Sequence, residues 1–277
     1  VYKRQGLVAM AGALAEYFGA IEGASLEANK GAYSYAWMII FAVIAAIMVL
    51  IGLYHIRMLP SNQIPSTTKK TTSEVGRELV AVIANFFTKK HIFYYICFII
   101  LYRLAEGFIM KIAPLFLRAS REVGGLGLSL KEIGTLNGVF GSAAFVLGSL
   151  LAGIYVSKFG LKRTLFTLCC IFNLPFVAYT FLAVTQPTNV YLIGTCITME
   201  YFGYGFGFVG LTLFMMQQIA PGKHQMSHYA FASGIMNLGV MLPGMVSGYF
   251  SDLLGYRNFF IYVLIATIPA FLITYFI

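Results

Sequence analysis

Charge is what this sequence has least of. Only 10% of its 277 residues are Asp, Glu, Lys or Arg, against about 25% in an ordinary soluble domain. Hydrophobic residues make up 59% and the mean hydropathy is +0.81. No water-soluble core can hide that much apolar surface, so the composition excludes a soluble globular domain and points to lipid as the solvent. Acids are scarcer than bases, 10 against 19, for a net charge of +9. The bases lie mainly in loops between apolar runs, where membrane sidedness explains them and a nucleic-acid partner is not needed. Cysteine is sparse too. Cys97, Cys169, Cys170 and Cys196 all sit inside apolar segments, where thiols behave as small buried hydrophobes. Their spacing excludes a thiolate metal site and a disulfide framework. HExxH, GxSxG and clustered His with acids are absent as well, which argues against an enzyme, a metal site or a resident cofactor. The four histidines, His55, His91, His224 and His228, fall at the ends of apolar runs and read as interfacial anchors.

The chain does not open on Met. Val1-Tyr2-Lys3-Arg4-Gln5 resembles the translation of a sequencing-library adapter, so residues 1–5 are expected to lie outside the fold. Ile277 ends the chain inside an apolar run, and the expectation is a piece of a longer protein.

What the sequence does have is long apolar runs. A bilayer core of about 30 Å needs about 20 apolar residues per helix. Eight segments qualify: Gly6–Gly23, Tyr35–His55, Ile92–Leu117, Glu132–Val156, Thr164–Val184, Val190–Ile219, Ser227–Phe250 and Asn258–Ile277. Glu16 makes the first the weakest, and Glu16 itself is a candidate for the cavity. One connection is long, residues 56–90. Within it Val75, Leu79, Val82, Ile83, Phe86 and Phe87 recur at helical spacing, and Thr71 with Glu74 can form a capping box. This predicts an amphipathic helix on the membrane surface; a plain linker between two bundles is compatible with it. If this loop is cytoplasmic, the cytoplasmic side holds Arg57, Lys69, Lys70, Arg77, Lys89, Lys90, Lys158, Lys162, Arg163 and Lys223, and the far side only Lys30, Arg118, Arg121, Lys131 and Arg257. That two-to-one bias sets the orientation.

Two loops share a spacing. Gly153, Ser157, Gly160 and Lys162 are matched by Gly248, Asp252, Gly255 and Arg257, 95 residues later. Three predicted spans intervene, so the copies fall on opposite sides, as in a three-plus-three inverted repeat. Two ordinary glycine helix caps would give the same letters. The first loop, Gly153-x3-Ser157-Lys158-x-Gly160-x-Lys162-Arg163, resembles the signature of the major facilitator superfamily, G-x3-[DN]-R-x-G-x-[RK]-[RK]. It departs from that pattern at Ser157 and Lys158, as befits the degenerate copy after the eighth helix. The stretch Ala220-Pro221-Gly222-Lys223-His224-Gln225-Met226-Ser227-His228-Tyr229-Ala230 is followed by Met236, Met241, Gly244, Ser247-Gly248, Asp252, Gly255-Tyr256 and Phe259-Phe260. It resembles the AmpG-type muropeptide permeases, in a branch shared with acetyl-CoA transporters.

That resemblance implies an all-α integral membrane bundle, with about eight of twelve transmembrane helices present, helices five to twelve. Residues 6–55 would end an N-terminal six-helix half, residues 56–90 would form a cytoplasmic linker, and residues 91–277 would form a C-terminal half truncated in its last helix. The implied protein is a monomer in a bacterial inner membrane. It takes up anhydro-muropeptides by alternating access and draws on the proton gradient. Acetyl-CoA, a sugar, a siderophore or a drug is the alternative cargo.

Ionisable residues inside apolar runs are the candidate site, because each is costly in lipid. Arg103 and Glu106 share a helix face, and Tyr102 is placed to hydrogen-bond Glu106. Pro114 is expected to kink that helix near Lys111, and Lys111 to snorkel. Arg103 can grip a carboxylate or phosphate while Glu106 exchanges the coupling proton; a buried ion pair that merely locks two helices is the competing reading. Glu200 stands alone near the centre of its span and suits proton exchange, or else is a neutral carboxyl bonded to a neighbour. Tyr201 and Tyr204 offer ring faces and hydroxyls to a sugar. The pairs Gly134/Gly138, Gly203/Gly207 and Gly244/Gly248 predict close helix packing.

Overall fold

The computed structural model describes residues 2–21, 28–58 and 72–277. Most of the long polar tract, including Thr71 of the expected capping box, lies outside them. The described residues form helices and turns, with no strand among them. The chain runs through α1 (Tyr2–Tyr17), α2 (Lys30–Met58), α3 (Thr72–Phe87), α4 (Ile92–Tyr102) and α5 (Leu104–Arg118). After a short loop, α6 (Leu130–Thr135) passes through a π-helical turn, Leu136–Gly141, into α7 (Ser142–Phe159). Then come α8 (Leu161–Asn173), α9 (Phe176–Thr185), α10 (Val190–Phe214), a second π turn at Met215–Ile219, α11 (Gln225–Ala266) and α12 (Ile268–Tyr275).

Five helical stretches among the described residues are long and apolar enough to cross a membrane: Lys30–Met58, Ile92–Arg118, Leu130–Phe159, Leu161–Thr185 and Gln225–Tyr275. The last has 51 residues and breaks at Gly255, where φ is 69° and ψ 161°, so it supplies the last two expected spans. The other two expected spans differ from the rest. α1 has 16 residues. α10 has 25 but is diluted by Glu200, tyrosines and glycines, because it faces other helices rather than lipid; Ile193, Ile197, Leu211 and Phe214 are all buried. The opposite extreme is α2, whose apolar side chains mostly point outward with 11% of its span buried.

Helix α10 is the centre of the packing, against α7 on one side and α8 on the other, while α5 runs along α11. Glycines set these distances. A Cβ on Gly203 would collide with the Ile171 carbonyl, on Gly205 with the Phe145 carbonyl and on Gly207 with Phe172. On α5, Gly107 lies just as close to Pro243 and the Val240 carbonyl of α11. Of the expected small-residue pairs, Gly203/Gly207 makes the contact at both ends; Gly244 approaches Lys111, and Gly248 faces open space.

The helix expected to kink at Pro114 continues through it and breaks at Arg103 (φ −104°, ψ 5°), between α4 and α5. In the loop between α5 and α6, Arg121 donates to the carbonyls of Gln186 and Pro187 at 2.8 and 2.9 Å, and a Ser129–Glu132 capping box starts α6. All four cysteines are free. Not every histidine is an interfacial anchor: His228 is 1% exposed beneath α3.

The close approach of α10 yields a test. Gly205→Ala should destabilise the protein by about 1–3 kcal/mol, the usual effect of overpacking. Gly153→Ala, whose Cβ would meet nothing within 4 Å, should stay within about 0.5 kcal/mol. Thermal unfolding of both variants in the same detergent makes the comparison.

Candidate functional site

The helix break at Arg103 presents the Arg103 side chain to Glu106 one turn on. The guanidinium makes a two-pronged contact, Nε to Oε2 and Nη2 to Oε1, both at 2.6 Å. Arg103 is 4% exposed and Glu106 1%. A charge pair this deep persists only because its geometry is good and its remaining valences are used. Tyr204, on α10, hydrogen-bonds the Glu106 carboxylate. Phe208, one turn beyond, lies under the guanidinium with its ring centre 5.5 Å from Cζ. The rings of Phe172 and Phe145 pack on Tyr204, with centroids 5.7 and 5.3 Å away. The node thus joins the α4–α5 break to α10 and is walled by aromatic rings.

Tyr102 does not join it. Its hydroxyl donates to the Gly207 carbonyl at 2.9 Å, not to Glu106 as the four-residue spacing predicts. Because the helix breaks at Arg103, Tyr102 and Glu106 belong to different helices and the spacing rule no longer applies. Gly207 lacks a side chain, so the Tyr102 ring can reach the α10 backbone. Tyr201 is also placed differently from expectation: its ring lies against Gly141 of the π turn and is 3% exposed, which leaves no open ring face for a sugar.

Glu200 stands one turn before Tyr204 on α10, 2% exposed, and its Oε2 has no hydrogen-bond partner. Glu106 and Tyr204 lie within its electrostatic reach, as does the buried Tyr179 of α9. Two carboxyls and a single guanidinium therefore share one interior region. Tyr179 and Phe208 escaped the sequence reading. Phe208 was findable, four residues after Tyr204; Tyr179 was not, because only the packing of α9 on α10 brings it near. Two grooves lie elsewhere and are mainly apolar. One of about 680 Å³ is lined by Phe140, Leu147, Leu174 and Phe202. Another, of about 580 Å³, includes Lys131, Thr195 and Tyr191. Arg103, Glu106 and Glu200 line neither; the polar cluster is closed. Glu16 is exposed on α1, 4.0 Å from Lys131, and takes no part in it.

The two look-alike loops each hold one glycine in the same backbone conformation. Gly160 has φ 78° and ψ 149°, Gly255 φ 69° and ψ 161°. Both values fall in a region essentially reserved for glycine and distinct from the left-handed helical cap. Ser157 donates to the Ile154 carbonyl at 2.8 Å, and Lys158 extends over the Phe159 ring, 5.5 Å from its centre. Lys162 and Arg163 are exposed in the first turn of α8. Gly153 has open space around it.

Comparison with known proteins gives a consistent picture. The family model of the major facilitator superfamily matches residues 2–225. The anhydromuropeptide permease of Escherichia coli K12 is 23% identical over 209 residues, covering 76% of this chain and 41% of that protein. A putative transporter AmpG 1 of Rickettsia bellii is 25% identical over 238 residues, covering 84% and 56%. A putative transporter AmpG 2 of Rickettsia prowazekii is 27% identical over 194 residues, covering 68% and 44%. The chain thus spans about half the length of the curated relatives it matches.

Removing one member of a buried pair strands the other. Glu106→Gln is expected to destabilise the protein by about 3–5 kcal/mol. The double variant Arg103→Gln, Glu106→Gln should recover part of that loss. A double-mutant cycle by thermal unfolding measures the coupling, and simple additivity would deny it.

Proposed function

The chain belongs to the major facilitator superfamily, and on that premise we propose that it serves proton-coupled uptake of anhydro-muropeptides by alternating access. It is a multi-pass helical membrane protein of a transporter family, not an enzyme. The solute rests on the similarity to muropeptide permeases. The coupling rests on one observation: a closed polar cluster that holds two carboxyls, Glu106 and Glu200, against one guanidinium, Arg103.

The chemistry follows from the count of charges. Arg103 can grip one carboxylate in this two-pronged fashion. A solute carboxylate that takes Glu106's place leaves Glu106 without its counter-charge in an apolar surrounding, where a bare carboxylate is expensive. Taking up a proton resolves the conflict, and losing it resets the pair. Tyr204 is in contact with Glu106 and one turn from Glu200, and so is positioned to hold the cluster together during the exchange. Among the residues singled out, Tyr102 and Tyr201 act by fixing α10, since their side chains are spent on Gly207 and Gly141. The loop of Gly153, Ser157, Lys158, Gly160, Lys162 and Arg163 and its copy around Gly255 serve as the hinged ends of two repeats that rock past each other. In this reading, residues 6–55 close an N-terminal half, residues 56–90 link the halves on the cytoplasmic side of a bacterial inner membrane, and residues 91–277 belong to the C-terminal half of a twelve-helix monomer. No cofactor is needed beyond the proton gradient.

The test uses the full-length protein in proteoliposomes with an imposed proton gradient and labelled anhydro-muropeptide. Glu200→Gln should abolish proton-driven accumulation while leaving membrane insertion intact. Unchanged accumulation would remove Glu200 from the coupling. Accumulation of labelled acetyl-CoA or a sugar in place of the muropeptide would change the solute but keep the mechanism.

A further inference from the structure

Helix α3 has more apolar surface than its docking uses. Val82 and Phe86, one turn apart, are buried. Phe86 is 1% exposed, with its ring 5.7 Å from those of both His228 and Phe231 on α11. Lys89, just past the helix, donates to the carbonyls of Ile219 and Pro221 and ties this end of α3 to the turn after α10. The helix is therefore held in one position. Yet Leu79, Val80, Ile83 and Phe87 are 53, 67, 36 and 46% exposed. At 3.6 residues per turn, Val80, Ile83 and Phe87 form a stripe beside the docked one, while Glu74, Glu78 and Asn85 lie on the far side. A contiguous apolar stripe of this kind marks a contact surface.

Three observations say what covers it. The connection from α3 to α4 is residues 88–91, and the next membrane-spanning stretch begins at Ile92, so α3 sits at the level where the chain enters the bilayer. The Phe87 ring lies 6.4 Å from Phe93, which is 70% exposed in the first turn of that stretch. The stripe thus continues into a lipid-facing surface. Finally, Arg77 and Lys90 are exposed close by, the charge that suits the phosphate level of a membrane.

We propose that α3 is an interfacial strap: its free edge, Leu79, Val80, Ile83 and Phe87, is seated in the headgroup–acyl boundary of the bilayer, while its docked edge holds α11 and the end of α10. The proposal does not depend on the solute or on proton coupling. It ties the long connection between the two parts of the chain to the lipid surface as well as to the helical bundle.

The chain's one tryptophan makes the test direct. In a Trp37→Phe background, Val80→Trp and Phe87→Trp place a reporter on the free stripe, and Asn85→Trp places one on the polar face. The full chain is reconstituted in vesicles of phosphatidylcholine and phosphatidylglycerol that carry bromine on acyl carbons close to the headgroups. Brominated lipid should quench the emission at positions 80 and 87 and leave position 85 unquenched. Absence of quenching at both 80 and 87, or equal quenching at 85, would overturn the proposal. Blue-shifted but unquenched emission would do so too, because it would mean that protein, not lipid, covers the stripe. The conservative Phe87→Trp keeps the test decisive if Val80→Trp disturbs folding.

Discussion

The closeness of α10 to its neighbours is the constraint on which the rest of this structure depends. In lipid there is no hydrophobic force to drive helices together, so association relies on close packing and interhelical hydrogen bonds. Gly203, Gly205 and Gly207 let the backbone of α10 touch α7 and α8 directly. That approach carries the Gly207 carbonyl to the Tyr102 hydroxyl and Tyr204 to Glu106. A methyl group in that row would push α10 away from its neighbours, and the polar cluster would lose its wall.

Given that wall, the Arg103–Glu106 pair resolves a second problem. A charge at this depth needs a counter-charge and hydrogen bonds to be tolerable. The break between α4 and α5 turns Arg103 toward Glu106, and the aromatic rings around it exclude competing water. Glu200 is the exception, with one carboxylate oxygen left unsatisfied. A fully satisfied cluster would be a static brace. A cluster short of one partner has a reason to change its geometry, and the proposed coupling draws on that.

The membrane class, the order of the helices and the identity of Arg103, Glu106 and Glu200 as interior polar residues were all legible in the sequence. The reason is that a charge inside an apolar run is conspicuous wherever the run folds. The two loops were legible only as matching letters; that Gly160 and Gly255 share nearly the same unusual backbone is a finding of the structure. Less legible was anything that crosses between helices. The spacing rule that pairs Tyr102 with Glu106 holds only in an unbroken helix. Proline is the residue that usually kinks a helix, which points to Pro114, whereas the break falls at Arg103, which carries no such mark. The open ring face expected of Tyr201 is covered by a π turn that no local pattern announced.

By itself, then, the sequence determined that this chain lives in lipid, that it does so as a bundle of helices, and which few side chains are too polar to be there without a purpose. These follow from composition and period, which are properties of single segments and are dictated by the cost of placing polar groups in hydrocarbon. Only the tertiary structure decided who partners whom: Tyr204 rather than Tyr102 on Glu106, Phe208 beneath Arg103, Tyr179 near Glu200, and α3 fastened along one apolar edge with the other left free. Those choices depend on how far apart helices stand and where they break. The distances are set by glycine contacts between segments remote in the chain, to which no single segment holds the key.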